Sequence, residues 1–253
     1  MRIVIPRESV AGEHRTSATP ETVKKMIRLG ADVAIESGAG AAVGFTDSVY
    51  TELGAEIVTD RAALLGSADM VLRLRKPESD DIDMMKSGCI HVSYLDPFNE
   101  RELIGTLAAK GITAISMEMI PRSTRSQKMD ALSSQANLAG YVAVMLAAAK
   151  LPSIFPMLMT PAGTLKPAKV FIIGAGVAGL QAIATAKRLG ARVTAFDTRP
   201  VVAEQVQSLG GKFLEIDLGD TGQTADGMRK SLRLSRWIFS AKPRKTSLLT
   251  RTL

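Results

Sequence analysis

The chain has 253 residues, of which 46% are hydrophobic and 23% are charged. These values lie near the averages for soluble globular proteins, so they exclude a disordered chain, a collagen-like chain and a disulfide-stapled miniprotein. The net charge is +7, but eight basic residues and no acidic residue fall in 228–253, and the rest of the chain is nearly neutral. Any nucleic-acid-binding hypothesis therefore rests on that tail alone.

Targeting and redox signals point to a cytoplasmic protein. The longest uncharged apolar run, 138–149, is shorter than the roughly 20 residues that cross a bilayer, so we predict no membrane span. The apolar run at the N-terminus is too short for a signal peptide. Cys89 is the single cysteine, which excludes an internal disulfide and favours a cytoplasmic compartment.

Strand and helix patterns alternate along the first half of the chain. Thr19 and Pro20 are typical of a helix start, and Gly30 is typical of a helix end. Further helical patterns lie at 60–65 and 99–110. Predicted strands lie at 2–5, 32–36, near Ile57, and at 70–74, 90–94 and 112–115. This alternation predicts a mostly parallel sheet covered by helices.

A second α/β unit begins near Pro167, after an alanine-rich helical link at 130–150. The pattern predicts strands at 169–173, 192–197 and 212–217, with helices at 178–189 and 201–209 between them. This is half of a doubly wound dinucleotide fold. We therefore predict two Rossmann-like parallel-sheet domains, the second truncated. The predicted divisions are an N-terminal domain 1–137, a linking helix and loop 138–166, an incomplete Rossmann domain 167–227 and a basic tail 228–253.

A glycine fingerprint, G-x-G-x-x-G, follows the strand at 169–173 and opens the next helix. Asp197 ends the following strand, 18 residues past Gly179, which is the context that dinucleotide binding requires. Asp197 would accept hydrogen bonds from the adenosine ribose and repel a 2′-phosphate, so NAD(H) is favoured over NADP(H), although Arg199 weakens this preference. The predicted cofactor-binding residues are Gly174, Ala175, Gly176, Val177, Ala178, Gly179, Asp197, Thr198 and Arg199.

The residues around this fingerprint resemble a known family. The runs 177–191, 196–200 and 204–213, together with 5–8, 36–40 and 133–141, closely resemble the NAD(H)-binding domain of proton-translocating nicotinamide nucleotide transhydrogenase, which lies on its alpha subunit. The resemblance implies two αβ domains flanking a cleft for NAD(H). It also implies partner subunits that bind NADP(H) and span the membrane, direct hydride transfer between the nicotinamides, a homodimer, and a cytoplasmic position on the inner face of the membrane.

The resemblance also assigns a nicotinamide-contacting loop. The family's arginine, glutamine and aspartate fall on Arg122, Gln127 and Asp130, and a nearby serine falls on Ser133. Hydride transfer between two nicotinamides needs orientation and close approach rather than an acid or base from the protein, which suits these side chains. Composition alone would instead predict a solvated basic loop here.

Two alternative functions remain open. The N-terminal half also resembles alanine dehydrogenase, with Arg15 at its arginine position, but Arg75 replaces its lysine and 93–96 carries no histidine. Without that imidazole the acid–base group for an amino or keto acid is missing, so this activity is disfavoured. The other alternative is a truncated, inactive NAD-binding fragment.

The resemblance ends near Met228, where we expect a reading-frame change, with a true polyanion-binding tail as the rival explanation. We expect a marginally stable chain, because a half-finished parallel sheet leaves apolar surface uncovered. His14 is predicted to be exposed, and His91 to be a hydrogen-bonded core residue. Cys89 is predicted to be a buried thiol, and no residue spacing indicates a metal site.

Overall fold

The computed structural model describes residues 1–216. Asp217, which was predicted to end the last strand, and the tail 228–253 lie outside them. The chain divides into two compact units, Met1–Leu132 and Ser133–Leu253. The division falls inside the helix that we predicted as a link, five residues before the predicted domain boundary at 137.

The first unit is a six-stranded, wholly parallel sheet in the order β3-β2-β1-β4-β5-β6. Its strands are β1 (Arg2–Ile5), β2 (Asp32–Glu36), β3 (Glu56–Val58), β4 (Met70–Leu72), β5 (Ile90–Ser93) and β6 (Thr113–Ser116). Its helices are α1 (Pro20–Arg28), α2 (Asp47–Glu52), α3 (Arg61–Ser67), α4 (Ser79–Met84) and α5 (Arg101–Ala109). The strand order is that of a doubly wound fold, so the predicted class is confirmed for this unit.

Alternating strand residues divide the core of the first unit between the two faces of the sheet. Val4 of β1 packs with α3, α4 and α5, whereas Ile5 packs with α1 and α2. The same alternation holds in β2, because successive side chains of a strand point to opposite faces. Near-continuous apolar strands are what a parallel sheet buried on both faces requires.

Helix α1 shows how local sequence sets an element's ends. Thr19 Oγ1 accepts a hydrogen bond from the Thr22 N–H at 3.4 Å, and Pro20 occupies the first turn. Gly30 follows the helix with φ +85°, a left-handed conformation that favours glycine. Both predicted ends are confirmed.

A buried ionic network joins the carboxyl ends of the strands in the first unit. Arg61 pairs with Glu36 at the end of β2 and donates from Nε to Asp81 Oδ1 at 2.7 Å. Arg73, which follows β4, pairs with Asp81 through Nη1, and Glu8 Oε2 lies 3.7 Å from Arg73 Nη2. The Arg73 side chain is 0% exposed and the Asp81 side chain 7% exposed. This network was not predicted, because its members are dispersed along the sequence.

The second unit has a three-stranded parallel sheet in the order β11-β10-β9 within the described residues. Its elements are α6 (Ala131–Lys150), which begins in the first unit, the antiparallel hairpin β7 (Leu158–Thr160) and β8 (Gly163–Leu165), β9 (Lys169–Ile173), α7 (Val177–Arg188), β10 (Arg192–Phe196), α8 (Ala203–Ser208) and β11 (Lys212–Phe213). The β-α-β-α-β order confirms the predicted Rossmann-like class, but the hairpin was missed and β11 is shorter than expected.

Within residues 1–216, α6 is the one helix long and apolar enough, by length and composition, to cross a membrane. Our criterion of an uninterrupted apolar run missed it because polar residues, Ser133 to Gln135, open the helix. Core helices of soluble proteins meet the same criterion, so α6 alone does not show that the chain crosses a membrane.

Candidate functional site

The glycine turn between β9 and α7 is shaped by three glycines with different tasks. Gly174 has φ +95°, which only glycine adopts readily. A Cβ at Gly179 would lie 1.8 Å from the Gly174 carbonyl oxygen, so a side chain there would collide with the turn. A Cβ at Gly176 would meet no heavy atom within 4 Å. The space at Gly176 is therefore open to an approaching group, which fits a pyrophosphate.

The N-terminus of α7 presents backbone N–H groups at this turn. Gly176 is the N-cap residue and has no side chain that could satisfy them. The first N–H groups of a helix have no intrahelical acceptor, and the helix dipole favours an anion there. Lys187 and Arg188 lie in the last turn, where positive charge complements the opposite end of the dipole. The turn and the helix together suit a phosphate group.

Helix α6 packs directly against the same turn. A Cβ at Gly140 would lie 2.1 Å from the Ala178 carbonyl oxygen, so this close approach depends on a glycine in α6. Gly140 is buried. Sequence reasoning missed this contact, because a glycine within a helical pattern indicates only a weak helix position.

Asp197 follows β10 and braces the glycine turn. Its carboxylate accepts the Ala175 N–H at 2.8 Å and the Arg199 N–H at 2.8 Å. It also pairs with the Arg199 guanidinium, at 3.0 Å from Nε to Oδ1 and 3.1 Å from Nη2 to Oδ2. Burial raises the pKa of Asp197, but the hydrogen bonds from Arg199 and Ala175 outweigh it and hold the pKa below its usual value. The structure thus brings together the fingerprint and the acidic residue that the sequence paired.

A groove of about 500 Å³ lies beside α7 in the second unit. Its walls include Asn137, Leu180, Gln181, Arg188, Gln205 and Leu209. Val177, the first residue of α7 and part of the glycine fingerprint, also lines this groove, so the groove adjoins the glycine turn on its α7 side.

The predicted nicotinamide loop is ordered as a 3₁₀ turn over Thr124–Met129. The Ser123 side chain caps the turn by accepting the Ser126 N–H at 3.3 Å. Arg122 and Gln127 are exposed, and Asp130 follows the turn. These residues lie in the first unit, whereas Ser133, in the first turn of α6, belongs to the second.

Arg15 and Arg75, the two residues that fall on functional positions in the resemblance to alanine dehydrogenase, form an ion cluster with Glu13. Glu13 accepts from Arg15 through Nε at 2.7 Å and Nη2 at 2.6 Å, and from Arg75 Nε at 2.8 Å. The hydrogen bonds from Arg15 contribute most to lowering the pKa of Glu13, to about 2. Both guanidinium groups are therefore engaged by a carboxylate of the chain itself.

The remaining reactive side chains have structural surroundings. His91 is fully buried with Nε2 3.0 Å from Ser93 Oγ, and burial lowers its pKa to about 4, so the predicted core role is confirmed. His14 is exposed, as predicted. Cys89 is buried, also as predicted, and burial raises the pKa of its thiol. Residues 1–216 contain no group of three or more His, Cys, Asp or Glu that could hold a metal.

Comparison with known proteins connects this fold to one family. The model described as alanine dehydrogenase/PNT, N-terminal domain, matches residues 4–139, and the corresponding C-terminal domain model matches residues 143–243. The second match extends beyond Gly227, near which we predict that the resemblance ends.

Individual relatives agree with the family models. The NAD(P) transhydrogenase subunit alpha of Haemophilus influenzae is 45% identical over 230 residues, which are 91% of this chain and 44% of the relative. The solved transhydrogenase from Sinorhizobium meliloti superposes with a TM-score of 0.83 at 47% identity, covering 86% of this chain and 62% of that one. A solved L-alanine dehydrogenase superposes with a TM-score of 0.74 at 29% identity, covering 84% and 60%. The chain thus spans between about two fifths and three fifths of the length of these relatives. Its sequence matches and its fold together show that it belongs to the alanine dehydrogenase/PNT family.

Proposed function

We propose that this chain is the NAD(H)-binding component of a proton-translocating transhydrogenase, which passes hydride from NADH to NADP⁺ held by a partner subunit. The observation that carries the proposal is the glycine turn with Asp197 hydrogen-bonded to it, in a chain 45% identical to a transhydrogenase alpha subunit. The nicotinamide, when bound, supplies the hydride. The chain's own residues bind and orient it.

The adenosine half of the cofactor is assigned to the glycine turn and Asp197. The backbone N–H groups of Val177, Ala178 and Gly179, at the start of α7, would bind the pyrophosphate, and the open space at Gly176 would allow its approach. Asp197 accepts the ribose hydroxyls, and its negative charge opposes a 2′-phosphate. NAD(H) is therefore preferred to NADP(H).

The nicotinamide half is assigned to Arg122, Gln127, Asp130 and Ser133. In this proposal Gln127 and Ser133 would hydrogen-bond the carboxamide, and Arg122 would reach the carboxamide or a phosphate. Asp130 would pair with Arg122 or hold its geometry. None of these residues has to exchange a proton, because hydride transfer between two nicotinamides requires only alignment and close approach. The exposure of Arg122 and Gln127 suits contact with a ligand.

We further propose that the chain acts as a homodimer on the cytoplasmic face of the inner membrane. There it would be held by the NADP(H)-binding and membrane-spanning subunits. The name of the H. influenzae relative, a subunit alpha, supports a multi-subunit assembly. Co-purification with membranes in the presence of those subunits, and loss from membranes in their absence, would support this placement.

Calorimetric titration with NADH and NADPH tests the binding assignment. We expect NADH to bind at least about tenfold more tightly than NADPH. Asp197→Asn should weaken NADH binding by about tenfold or more, because hydrogen bonds to a charged group contribute about 1.5–3 kcal/mol. Glu204→Gln, which removes an exposed carboxylate from α8 of the same unit, should leave both affinities unchanged. Equal affinity for NADH and NADPH, or an unaffected Asp197→Asn variant, would refute the assignment.

Hydride transfer is tested by adding an NADP(H)-binding partner subunit with NADH and NADP⁺. Gln127→Ala should slow transfer at saturating NADH far more than it weakens NADH binding, since its role is orientation. Oxidation of alanine by NAD⁺ without any partner would instead favour the alanine dehydrogenase hypothesis. The pairing of Glu13 with both Arg15 and Arg75 argues against that outcome, because a substrate carboxylate would have to displace Glu13.

A further inference from the structure

The guanidinium of Arg199 lies on the carboxylate that the proposed function assigns to the ribose. Asp197 accepts at least four N–H groups, including two from the backbone of Ala175 and Arg199 and two from the Arg199 side chain. A carboxylate has about four lone-pair positions for hydrogen bonds. A ribose that binds Asp197 must therefore displace some of these donors.

Only the side-chain donors can leave without refolding the turn. The Ala175 and Arg199 N–H groups are placed by the backbone of the glycine turn and of the residues after β10. The Arg199 side chain is 22% exposed, so it has access to solvent, whereas the Asp197 side chain is 8% exposed. Nε binds Oδ1 and Nη2 binds Oδ2, so the edge of the guanidinium presents one donor to each carboxylate oxygen.

The two guanidinium N–H donors match the two adjacent hydroxyl donors of a ribose. The 2′- and 3′-hydroxyls of a ribose are two adjacent donors that can each bind one carboxylate oxygen, as the two guanidinium N–H groups do here. A 2′-phosphate has no such donor, but it would attract a guanidinium. Arg199 thus competes with the ribose diol for the Asp197 carboxylate and favours binding of a 2′-phosphate.

We propose that Arg199 is a specificity-determining latch, whose guanidinium occupies the ribose-diol positions of Asp197 until a nucleotide displaces it. The inference rests on the proposed function, because it takes Asp197 as the ribose acceptor. Arg199 therefore weakens NADH binding and reduces the difference between the affinities for NADH and NADPH. When the nucleotide leaves, Arg199 pairs with Asp197 again.

The test is nucleotide binding by Arg199→Ala in the full chain. We expect NADH to bind about tenfold more tightly than to the unmodified chain, and NADPH to bind more weakly. AMP should gain more from the substitution than 2′-deoxy-AMP, because only AMP has both hydroxyls. Arg192→Ala, which removes an equal charge from β10, should leave all four affinities unchanged. Arg199→Lys keeps the charge but not the paired donors, so its nucleotide affinities should lie between those of the unmodified chain and those of Arg199→Ala.

The outcomes separate the latch from the proposed function. If the unmodified chain binds NADH and Arg199→Ala binds it equally or less well, the latch is refuted and the proposed function stands. Weaker binding would mean that Arg199 holds the nucleotide directly. If neither protein binds NADH, both proposals fail. If only the variant binds, both are supported and the latch is stronger than expected.

Discussion

Substitution of Asp81 by asparagine should destabilise the first unit, because it leaves a buried cation without its main partner. Arg73 is fully buried, and the next carboxylate oxygen, Glu8 Oε2, lies 3.7 Å away. Breaking a buried ion pair by removing one partner typically destabilises a protein by about 3–5 kcal/mol. Asparagine keeps one acceptor oxygen, and Arg61 retains Glu36, so we expect the lower end, about 3 kcal/mol.

Cys89 offers a readout confined to the first unit. It is the single cysteine of the chain, it is 0% exposed, and it packs in the same apolar cluster as Ile82 of α4. A thiol reagent can reach it only when this core opens. Where reclosing is faster than labelling, the rate follows the opening equilibrium. About 3 kcal/mol should then accelerate labelling by roughly 100-fold.

Two control variants accompany this measurement. Glu21→Gln breaks an exposed ion pair with Lys25 in α1 and should not change the labelling rate measurably. Replacing Arg73 and Asp81 together by methionine and leucine should restore part of the stability lost in Asp81→Asn, since the stranded guanidinium is removed and the buried Glu8 carboxylate keeps hydrogen bonds from the Leu74 and Arg75 N–H groups. If Asp81→Asn labels as slowly as the unmodified chain, the buried network does not stabilise this unit.

Three further substitutions probe stability in other ways. His91 has a folded-state pKa of about 4 against an ordinary value of 6.5, so the unfolded chain binds more protons between these values. Stability should fall as the pH drops from about 6.5 toward 4, by about 3 kcal/mol in total, and His91→Gln should flatten this region of a denaturation-against-pH profile. Gly105→Ala should stabilise α5 by about 0.5–1 kcal/mol because no atom lies near the new Cβ, whereas Gly140→Ala should destabilise by about 1–3 kcal/mol through collision with Ala178. Opposite shifts in urea midpoint would support both assignments, and equal shifts would contradict them.

Local sequence patterns predicted most of the sheet. The bounds predicted for β1, β2 and β9 matched the structure to the residue, because each is a nearly continuous apolar run of the kind that parallel strands carry. In β1 and β2 these residues are mostly buried, whereas Phe171 and Ile173 of β9 are exposed. The short helices α2 and α4 were missed, since six residues carry too little periodicity to be recognised. They depend on tertiary contacts, such as the hydrogen bond from Tyr50 Oη to the Ala18 carbonyl.

In the candidate site, too, local sequence predicted some features and only the folded chain showed the others. The spacing of Gly174, Gly176, Gly179 and Asp197 was sufficient to predict a dinucleotide turn, because each glycine answers a local backbone requirement. The sequence could place Arg199 near Asp197 but could not tell whether its guanidinium turns back onto the carboxylate. The engagement of Glu13 with Arg75, 62 positions away, was equally invisible. Which charged side chains pair depends on their positions in space and on their burial, and only the folded chain determines both.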